Sequence, residues 1–257
     1  MDHVFDVHAH LTDSNIYADL LDHKIKLPHK ILSAGYSHES NIKTVKLKRA
    51  RLENVFISLG ISAQEAIKDK SILRTDKLHS WIEYIRSNKS IVTAIGEIGL
   101  DYHWTNLKAD IERERKLFRI MLETAEEMQL PVIVHSRKAE ADVINELLSY
   151  RLNGVILHCF SGDVRLARTA VDNDMFISIP PVSSRRRRKM IKTLGLNHLV
   201  VETDLPYIGK SVSDINKSLN IISNELGIDM NNVAMVTHSN AMRALGLGSA
   251  DEAVDEE

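Results

Sequence analysis

Histidine and carboxylate residues recur at the ends of short apolar segments along this chain. The first segment is "FDVHAHL" at 5–11, which places His8 and His10 one residue apart. Imidazole and carboxylate groups are the ligands that Zn, Mn, Fe and Co favour in proteins. Four later segments add further groups of this kind: Glu97 in "AIGEIG", His135 in "PVIVHS", His158 in "GVILHCF", and Glu202 and Asp204 in "LVVETD".

Strand geometry predicts that the two histidines of the first segment act together. Successive side chains of a strand point to opposite faces, so His8 and His10 share a face. Asp6 shares that face one layer deeper, and we assign it a supporting role. The remaining histidines occur in loop or helix contexts without such neighbours, and we interpret most of them as surface or packing residues.

The elements that must position these residues alternate regularly. Eight segments rich in valine and isoleucine predict strands at 4–10, 30–34, 55–61, 91–99, 131–136, 154–160, 175–180 and 199–204. Amphipathic segments predict helices at 39–52, 76–88, 107–129, 139–150, 163–173, 184–194 and 212–226, with a last helix at 230–245. Eight such repeats in 257 residues indicate an α/β fold, a closed (β/α)8 TIM barrel with an additional C-terminal helix.

Composition narrows the class of protein. Hydrophobic residues make up 44% and charged residues 26%, as in ordinary globular proteins, and the net charge of −2 argues against electrostatic coating of nucleic acid. The single cysteine, Cys159, and the absence of a long apolar run predict a cytoplasmic protein that does not cross a membrane. We expect one domain at 1–249 and an acidic, frayed tail at 250–257. The oligomeric state stays open, and a monomer is compatible with the sequence.

The predicted ligands meet at one end of such a barrel. All lie toward the carboxyl ends of their strands, the face on which TIM-barrel enzymes build their active sites. Polar groups in a buried parallel strand are costly unless they are paired, so this set requires a partner. Six ligands exceed one tetrahedral site but suit two divalent ions that share a bridging carboxylate. The ions would be Zn, Mn, Fe or Co, or Mg if the carboxylates dominate.

The order of the motifs resembles the TatD family of metal-dependent deoxyribonucleases. The matching motifs are "FDVHAHL", "GEIGLDY", "LPVIVHSR", "HCFSG" and "ETDLPY", and the resemblance extends from about 4 to 247. Members of this family are TIM barrels that hydrolyse phosphodiesters, often as exonucleases. The resemblance implies that His8, His10 and Asp204 hold one metal ion. It also implies that His135 and His158 hold the second ion and that Glu97 bridges the two.

The chemistry and the positions of further residues suggest roles in catalysis and substrate binding. Glu97 and Asp204 would be catalytic, with Asp204 accepting a proton from the attacking water. Arg137, in "HSR", would bind a phosphate of DNA or another phosphodiester. Tyr102 and His103, with the neighbouring Trp104, would contact the substrate, since aromatic rings can stack on bases.

Basic residues after the seventh predicted strand form a further candidate. In "SSRRRRK", Ser183 and Ser184 resemble a helix N-cap, which puts the start of the run on the active-site face. A solvated helix face is the main interpretation of this run. Contact of Arg185 and Arg186 with phosphates is the lesser one.

Two departures from the family pattern bear on the substrate. Ser62 stands where many members have the histidine of a GxHP motif, and "IGKSVSDIN" replaces an arginine-asparagine-proline loop. Both positions lie on the substrate rim, so two alternatives stay open. One is an amidohydrolase-type enzyme acting on a small-molecule ester, lactone or amide. The other is a non-catalytic barrel that binds metal or nucleic acid.

Overall fold

Eight parallel strands form a closed barrel in which each strand pairs with its neighbours in chain order. The computed structural model describes residues 3–74 and 76–247. Pairing of Asp6 with Val201 closes the ring between the first and last strands. The strands are β1 Phe5–Ala9, β2 Lys30–Ala34, β3 Val55–Leu59, β4 Ala94–Asp101, β5 Val132–Arg137, β6 Val155–Leu157, β7 Phe176–Ile179 and β8 Leu199–Val201. The predicted TIM barrel is confirmed.

Helices connect the strands, and two more follow the last strand. They are α1 Tyr17–Leu21, α2 His38–Arg49, α3 Ala63–Lys68, α4 Asp76–Ser87, α5 Lys108–Met128, α6 Glu140–Leu147, α7 Val164–Val171, α8 Arg185–Leu194, α9 Ile215–Leu226 and α10 Met230–Ala244. The predicted C-terminal helix is α10. The sequence did not predict α1 and α3, since five or six residues are too few for a helical period to show.

Several strands end earlier than their apolar segments suggested. The segment predicted at 154–160 forms β6 only as far as Leu157, and the segment at 199–204 forms β8 only as far as Val201. His158 and Asp204 therefore lie in the connections just beyond their strands. In contrast, β4 continues to Asp101, so Glu97 lies inside this strand rather than near its end. The polar residues thus sit at slightly different heights around the barrel mouth.

Apolar side chains form two separate cores. The larger core lies between the barrel and the surrounding helices. The smaller one fills the barrel interior with residues such as Phe5, Ile133 and Phe176, and Ala241 and Leu245 of the α10 region close it from below. The interior is therefore solid at the amino end of the strands, and polar groups can gather only at the carboxyl end.

Two further predictions concern membrane spans and the acidic C-terminal tail. No helix within 3–74 and 76–247 combines the length and the apolar character that a membrane span requires. The acidic tail predicted at 250–257, with the domain boundary at 249, lies outside the described residues.

Candidate metal centre

The first strand brings two imidazoles into one buried cluster. His8 is fully buried, His10 is 3% exposed, and their Nε2 atoms are 3.1 Å apart. The register of β1 with β2 shifts between Asp6 and Ala9, so simple alternation of side chains does not extend through this part of the strand. Asp204 approaches the pair, with Oδ1 3.9 Å from Nε2 of His8 and 3.7 Å from Nε2 of His10.

Glu97 joins this pair to the residues of the opposite strands. Its Oε2 lies 3.6 Å from Nε2 of His8 and 3.3 Å from Nε2 of His10. Its Oε1 lies 3.2 Å from Nδ1 of His135. The carboxylate therefore faces the imidazoles of β1 with one oxygen and the imidazole of β5 with the other, which is the geometry that a bridging ligand requires.

Two groups of potential ligands lie within coordinating distance. His8, His10 and Asp204 form one group and His8, Glu97 and His158 form the other, each with ligand atoms within 4.8 Å of one another. The ring of His158 stacks on that of His8, with centroids 3.8 Å apart. His135 belongs to neither group, and its ring centroid lies 5.7 Å from that of His158. The structure thus gathers all six predicted ligands and sets His135 at the edge of the cluster.

The donor set fits divalent transition-metal ions. Four imidazoles and two carboxylates converge, and the carboxylate oxygen Oδ1 of Asp204 is buried without a hydrogen-bond partner among the described residues. A buried charged oxygen without a partner is costly, and a cation between Asp204 and the two imidazoles of β1 would satisfy it. Nitrogen and oxygen donors in this proportion suit Zn, Mn, Fe or Co.

Burial and neighbouring charges perturb the ionisation of these groups. Burial opposes the charged form of Glu97, but hydrogen bonds from His10 and His135 outweigh it and hold its pKa well below the usual value. Burial likewise opposes protonation of His135, yet Asp101 and Glu97 together raise its pKa to about 10. Burial and nearby imidazoles depress the pKa of His8. The carboxylate at the centre of the cluster therefore stays ionised.

Three carboxylates support the cluster from outside. The Nε2 atom of His135 lies 3.0 Å from Oδ2 of the fully buried Asp101. The Nδ1 atom of His158 lies 3.0 Å from Oε2 of Glu202, also fully buried. Asp6 takes hydrogen bonds from the backbone N–H and the hydroxyl of Thr203, at 3.0 and 2.6 Å, and so ties β1 to the segment that carries Asp204. Such partners orient metal ligands and fix their tautomers.

The sequence predicted only part of this support. Its pattern indicated a supporting role for Asp6, but no role for Asp101 or Glu202. A signal for both was present, since Asp101 stands in the "GEIGLDY" motif and Glu202 in "ETDLPY". Nothing local pairs them with His135 and His158, which are 34 and 44 residues away.

A glycine allows β4 to approach β5 at the cluster. Gly99 pairs with His135 across the two strands and has a φ of +136°, a conformation that side chains disfavour. A Cβ atom at this position would overlap the backbone carbonyl oxygen of His135. The close contact that holds His135 beside Glu97 therefore requires glycine at 99.

An open cleft of about 680 Å³ leads to the metal centre. On one rim, the guanidinium of Arg137 lies 5.7 Å from the ring centroid of Trp104, which is 61% exposed. Ser62, the residue that replaces the family's histidine, also lines the cleft. The rim thus combines an aromatic face with a cation beside the buried ligands.

The structure separates the predicted substrate contacts into two groups. Arg137 and Trp104 line the cleft, whereas Tyr102 and His103 are not among its lining residues. The hydroxyl of Tyr102 donates to Asp142 at 2.8 Å and so points into the contact with helix α6. The ring of His103 packs edge-on against Trp104, with centroids 4.9 Å apart.

A pair of tyrosines on the opposite rim was not anticipated. Tyr36 and Tyr207 both donate hydrogen bonds to Oδ2 of Asp13, at 3.0 and 2.8 Å. Their rings lie edge-on to His10, with centroid distances of 5.2 and 5.1 Å. They buttress the outer imidazole of the cluster. No motif in the sequence links these three residues, which come from separate loops.

A closed parallel barrel that carries imidazole and carboxylate ligands at its carboxyl end defines the class of this protein, a metal-dependent hydrolase. The family model described as TatD related DNase matches residues 5–246. The chain therefore belongs to this family.

Individual relatives are similar to this chain over most of their length. The uncharacterized metal-dependent hydrolase YabD of Bacillus subtilis (strain 168) is 29% identical over 215 residues, which cover 80% of this chain and 81% of that protein. Deoxyribonuclease TATDN3 of Homo sapiens is 28% identical over 254 residues, which cover 93% of each. The crystal structure of YJJV, a TatD homologue from Escherichia coli K12, superposes with a TM-score of 0.79 at 21% identity. It covers 94% of this chain and 97% of that one, and it shows the shared fold.

Proposed function

We propose that this chain is a two-metal phosphodiesterase that hydrolyses DNA, and the resemblance to the family suggests an exonuclease mode. The observation that carries the proposal is the position of Glu97, with one oxygen toward His8 and His10 and the other toward His135. A carboxylate so placed can be shared by two cations a few ångströms apart. The name of the human relative, a deoxyribonuclease, supports DNA as the substrate.

The proposed ligand sets are those that the family motifs imply, and the first of them is also a group of ligand atoms that lie within coordinating distance. His8, His10 and Asp204 would hold one divalent ion, and His158 and His135 the other, with Glu97 common to both. Zn, Mn, Mg, Co or Fe could each occupy the two proposed metal sites. Bound in pairs, such ions supply Lewis acidity that favours deprotonation of water near neutral pH and draws charge from phosphate oxygens.

The side chains of the chain itself would then perform three tasks. Asp204, one of the proposed ligands of the first ion, would also accept the proton of the attacking water. Glu97, held ionised by its neighbours, would keep the two halves of the site at a fixed separation. Asp101 and Glu202 would hold the rings of His135 and His158 in place through their outer nitrogens.

The cleft rim supports a nucleic-acid substrate. The exposed guanidinium of Arg137 can take a phosphate with two parallel hydrogen bonds. The exposed face of Trp104, beside that guanidinium, can stack on a base and contribute about 1–3 kcal/mol. We assign His103 the task of steadying Trp104. A direct substrate contact of Tyr102 stays a prediction from the position of its aromatic ring in the sequence.

A small-molecule substrate is the second candidate. The cleft of about 680 Å³ is within the range of small-ligand sites, and Ser62 leaves one rim without the family's histidine. An ester, lactone or amide would then take the place of the phosphodiester. The same ligand set could polarise its carbonyl.

A nuclease assay tests the proposal directly. Metal-stripped protein is reloaded in turn with Mg²⁺, Mn²⁺, Zn²⁺ and Co²⁺ and incubated with single-stranded DNA labelled at the 3′ or 5′ end. We expect stepwise shortening with at least one ion, and no shortening by Asp204→Asn, which also controls for contaminating nucleases. Cleavage by both proteins, or by neither, would contradict the proposal. In the second case, turnover of esters, lactones or amides would support the second candidate.

We also propose a single catalytic domain at 1–249 and a cytoplasmic location. The continuous barrel, which is completed only by β8 and α10, supports the first proposal. The single cysteine, Cys159, supports a reducing compartment.

A further inference from the structure

A second cavity lies on the same face of the barrel as the metal centre. It has a volume of about 300 Å³ and is bounded by the loop after β6, with Phe160 and Ser161, and by the start of α8, with Ser184, Arg186 and Arg187. Phe160 is only two residues beyond His158, so both residues belong to the connection that follows β6. Loops on this face of a TIM barrel are the usual place for phosphate sites.

Arg187 brings a buried positive charge to this cavity. The residue is only 8% exposed, and its Nη1 atom donates to the carbonyl oxygen of Val182 at 2.6 Å. Its Nε atom is buried and has no hydrogen-bond partner within the described part of the chain. The neighbouring Arg188 lies 3.5 Å from a carboxylate of Glu225, whereas Arg187 forms no ion pair with any described residue. A guanidinium kept out of water without a counter-ion is costly.

The surroundings of Arg187 add further positive potential. Helix α8 begins at Arg185, and the hydroxyl of Ser184 accepts from the backbone N–H of Arg187 at 3.1 Å. The first N–H groups of a helix and its dipole favour an anion at this end. The exposed Arg186 donates from Nη1 to the carbonyl oxygen of Ser161 at 3.1 Å, which fixes its guanidinium at the cavity edge.

We propose that this cavity is an anion subsite that binds a backbone phosphate of the nucleic-acid substrate, beyond the phosphodiester that reacts at the metal centre. The proposal rests on the proposed phosphodiesterase function. The guanidinium of Arg187, which lacks a counter-ion among the described residues, and that of Arg186 would supply the donors, since guanidinium groups bind phosphate oxygens in pairs. The sequence drew attention to Arg185 and Arg186, but the structure assigns the central role to Arg187.

Two substrates of different length test the subsite on the metal-loaded enzyme. Bis(p-nitrophenyl) phosphate has one phosphate, whereas an oligothymidylate has many. We expect Arg187→Met to raise KM for both substrates by different factors, and the factor for the oligothymidylate should be about ten times that for the short substrate. A tenfold difference corresponds to the loss of one charge-assisted hydrogen bond. Arg185→Met is the matched control, because it removes an exposed arginine that does not line the cavity. It should leave the ratio of the two KM values close to that of the wild type.

A binding measurement that needs no turnover separates this proposal from the proposed function. In the Asp204→Asn background, the affinity for fluorescent oligothymidylate is measured by anisotropy between low and moderate salt. Loss of one phosphate contact to a single strand should reduce the slope of log affinity against log salt by about 0.7. If the wild-type enzyme cleaves neither substrate, the phosphodiesterase function is contradicted. A reduced slope with Arg187→Met would in that case still support the subsite.

The opposite results are equally clear. Equal changes in KM for both substrates would mean that Arg187 supports the fold or His158, and the subsite would be wrong. The same salt slope for Arg187→Met and Arg185→Met would also overturn it. If Arg187→Met does not fold, as judged by its melting curve, the exposed Arg186→Met provides the same two measurements and must shift both in the expected direction.

Discussion

A buried histidine far from the metal centre makes the stability of this protein depend on pH. His29, just before β2, is only 2% exposed, and neither of its ring nitrogens has a hydrogen-bond partner among the described residues. Burial therefore lowers its pKa from 6.5 to about 4. The unfolded chain binds a proton at His29 between these two values, and the folded chain does not.

The sign and the size of the effect follow from this difference. Above pH 6.5, neutral His29 makes its full contribution to the free energy of unfolding. This contribution is lost as the pH falls toward 4, because the unfolded chain binds a proton at His29 and the folded chain does not. Between pH 7.5 and pH 5 the loss is about 2 kcal/mol. That is a substantial share of a typical stability of about 5–15 kcal/mol.

Urea unfolding at the two pH values measures the effect. Burial raises the pKa of Asp6 and Glu114 to about 7, so their contributions have the opposite sign. The comparison is therefore made between wild type and His29→Leu, in which these contributions cancel. We expect the variant to gain about 2 kcal/mol relative to the wild type when the pH is lowered from 7.5 to 5.

A second variant controls for the loss of a histidine as such. His79→Leu removes an exposed histidine from α4. If the difference in free energy of unfolding between His29→Leu and wild type stays constant with pH, within about 0.5 kcal/mol, His29 does not cause the pH dependence. So would an equal pH-dependent gain in His79→Leu.

The remaining predictions concern the metal centre and its rim. Asp204→Asn should abolish turnover while the melting curve still shows a folded protein, and wild-type activity would mean that the site is misplaced. Glu97→Ala should lower both turnover and the metal content measured by elemental analysis, because it removes the shared carboxylate; two retained ions per chain would contradict the bridge. Arg137→Ala should raise KM for DNA by about 10–100-fold with a smaller change in kcat, as for a lost hydrogen bond to a charged group, and an unchanged KM would exclude the phosphate contact. Gly99→Ala should displace β5 beside His135 and lower the metal affinity; unaltered affinity would show that the strands separate without moving the ligand.

Local patterns were sufficient for most of the fold. The segment at 30–34 forms β2 with the predicted bounds, and the helix predicted at 184–194 differs from α8 by one residue. Strand and helix periods of two and 3.6 residues are properties of short stretches of chain, so they can be read without the tertiary structure. The same holds for the ligand types, since polar residues at the ends of apolar strands are costly in any barrel.

Pairing between distant residues could not be read in this way. Whether His135 faces Asp101, or His158 faces Glu202, depends on the stagger of strands around the closed barrel. The separation of Trp104, on the cleft, from Tyr102, tied to Asp142, depends on how α6 packs. No local period records either arrangement.

Local sequence patterns were therefore enough to predict a TIM barrel, six potential metal ligands and the face on which they meet. The position of Glu97 between the imidazoles of β1 and β5, and the burial of Arg187 among the arginines of its run, became visible only in the folded chain. The physical reason is that residue type and periodicity are local, whereas distance and burial arise only when the ring of strands closes.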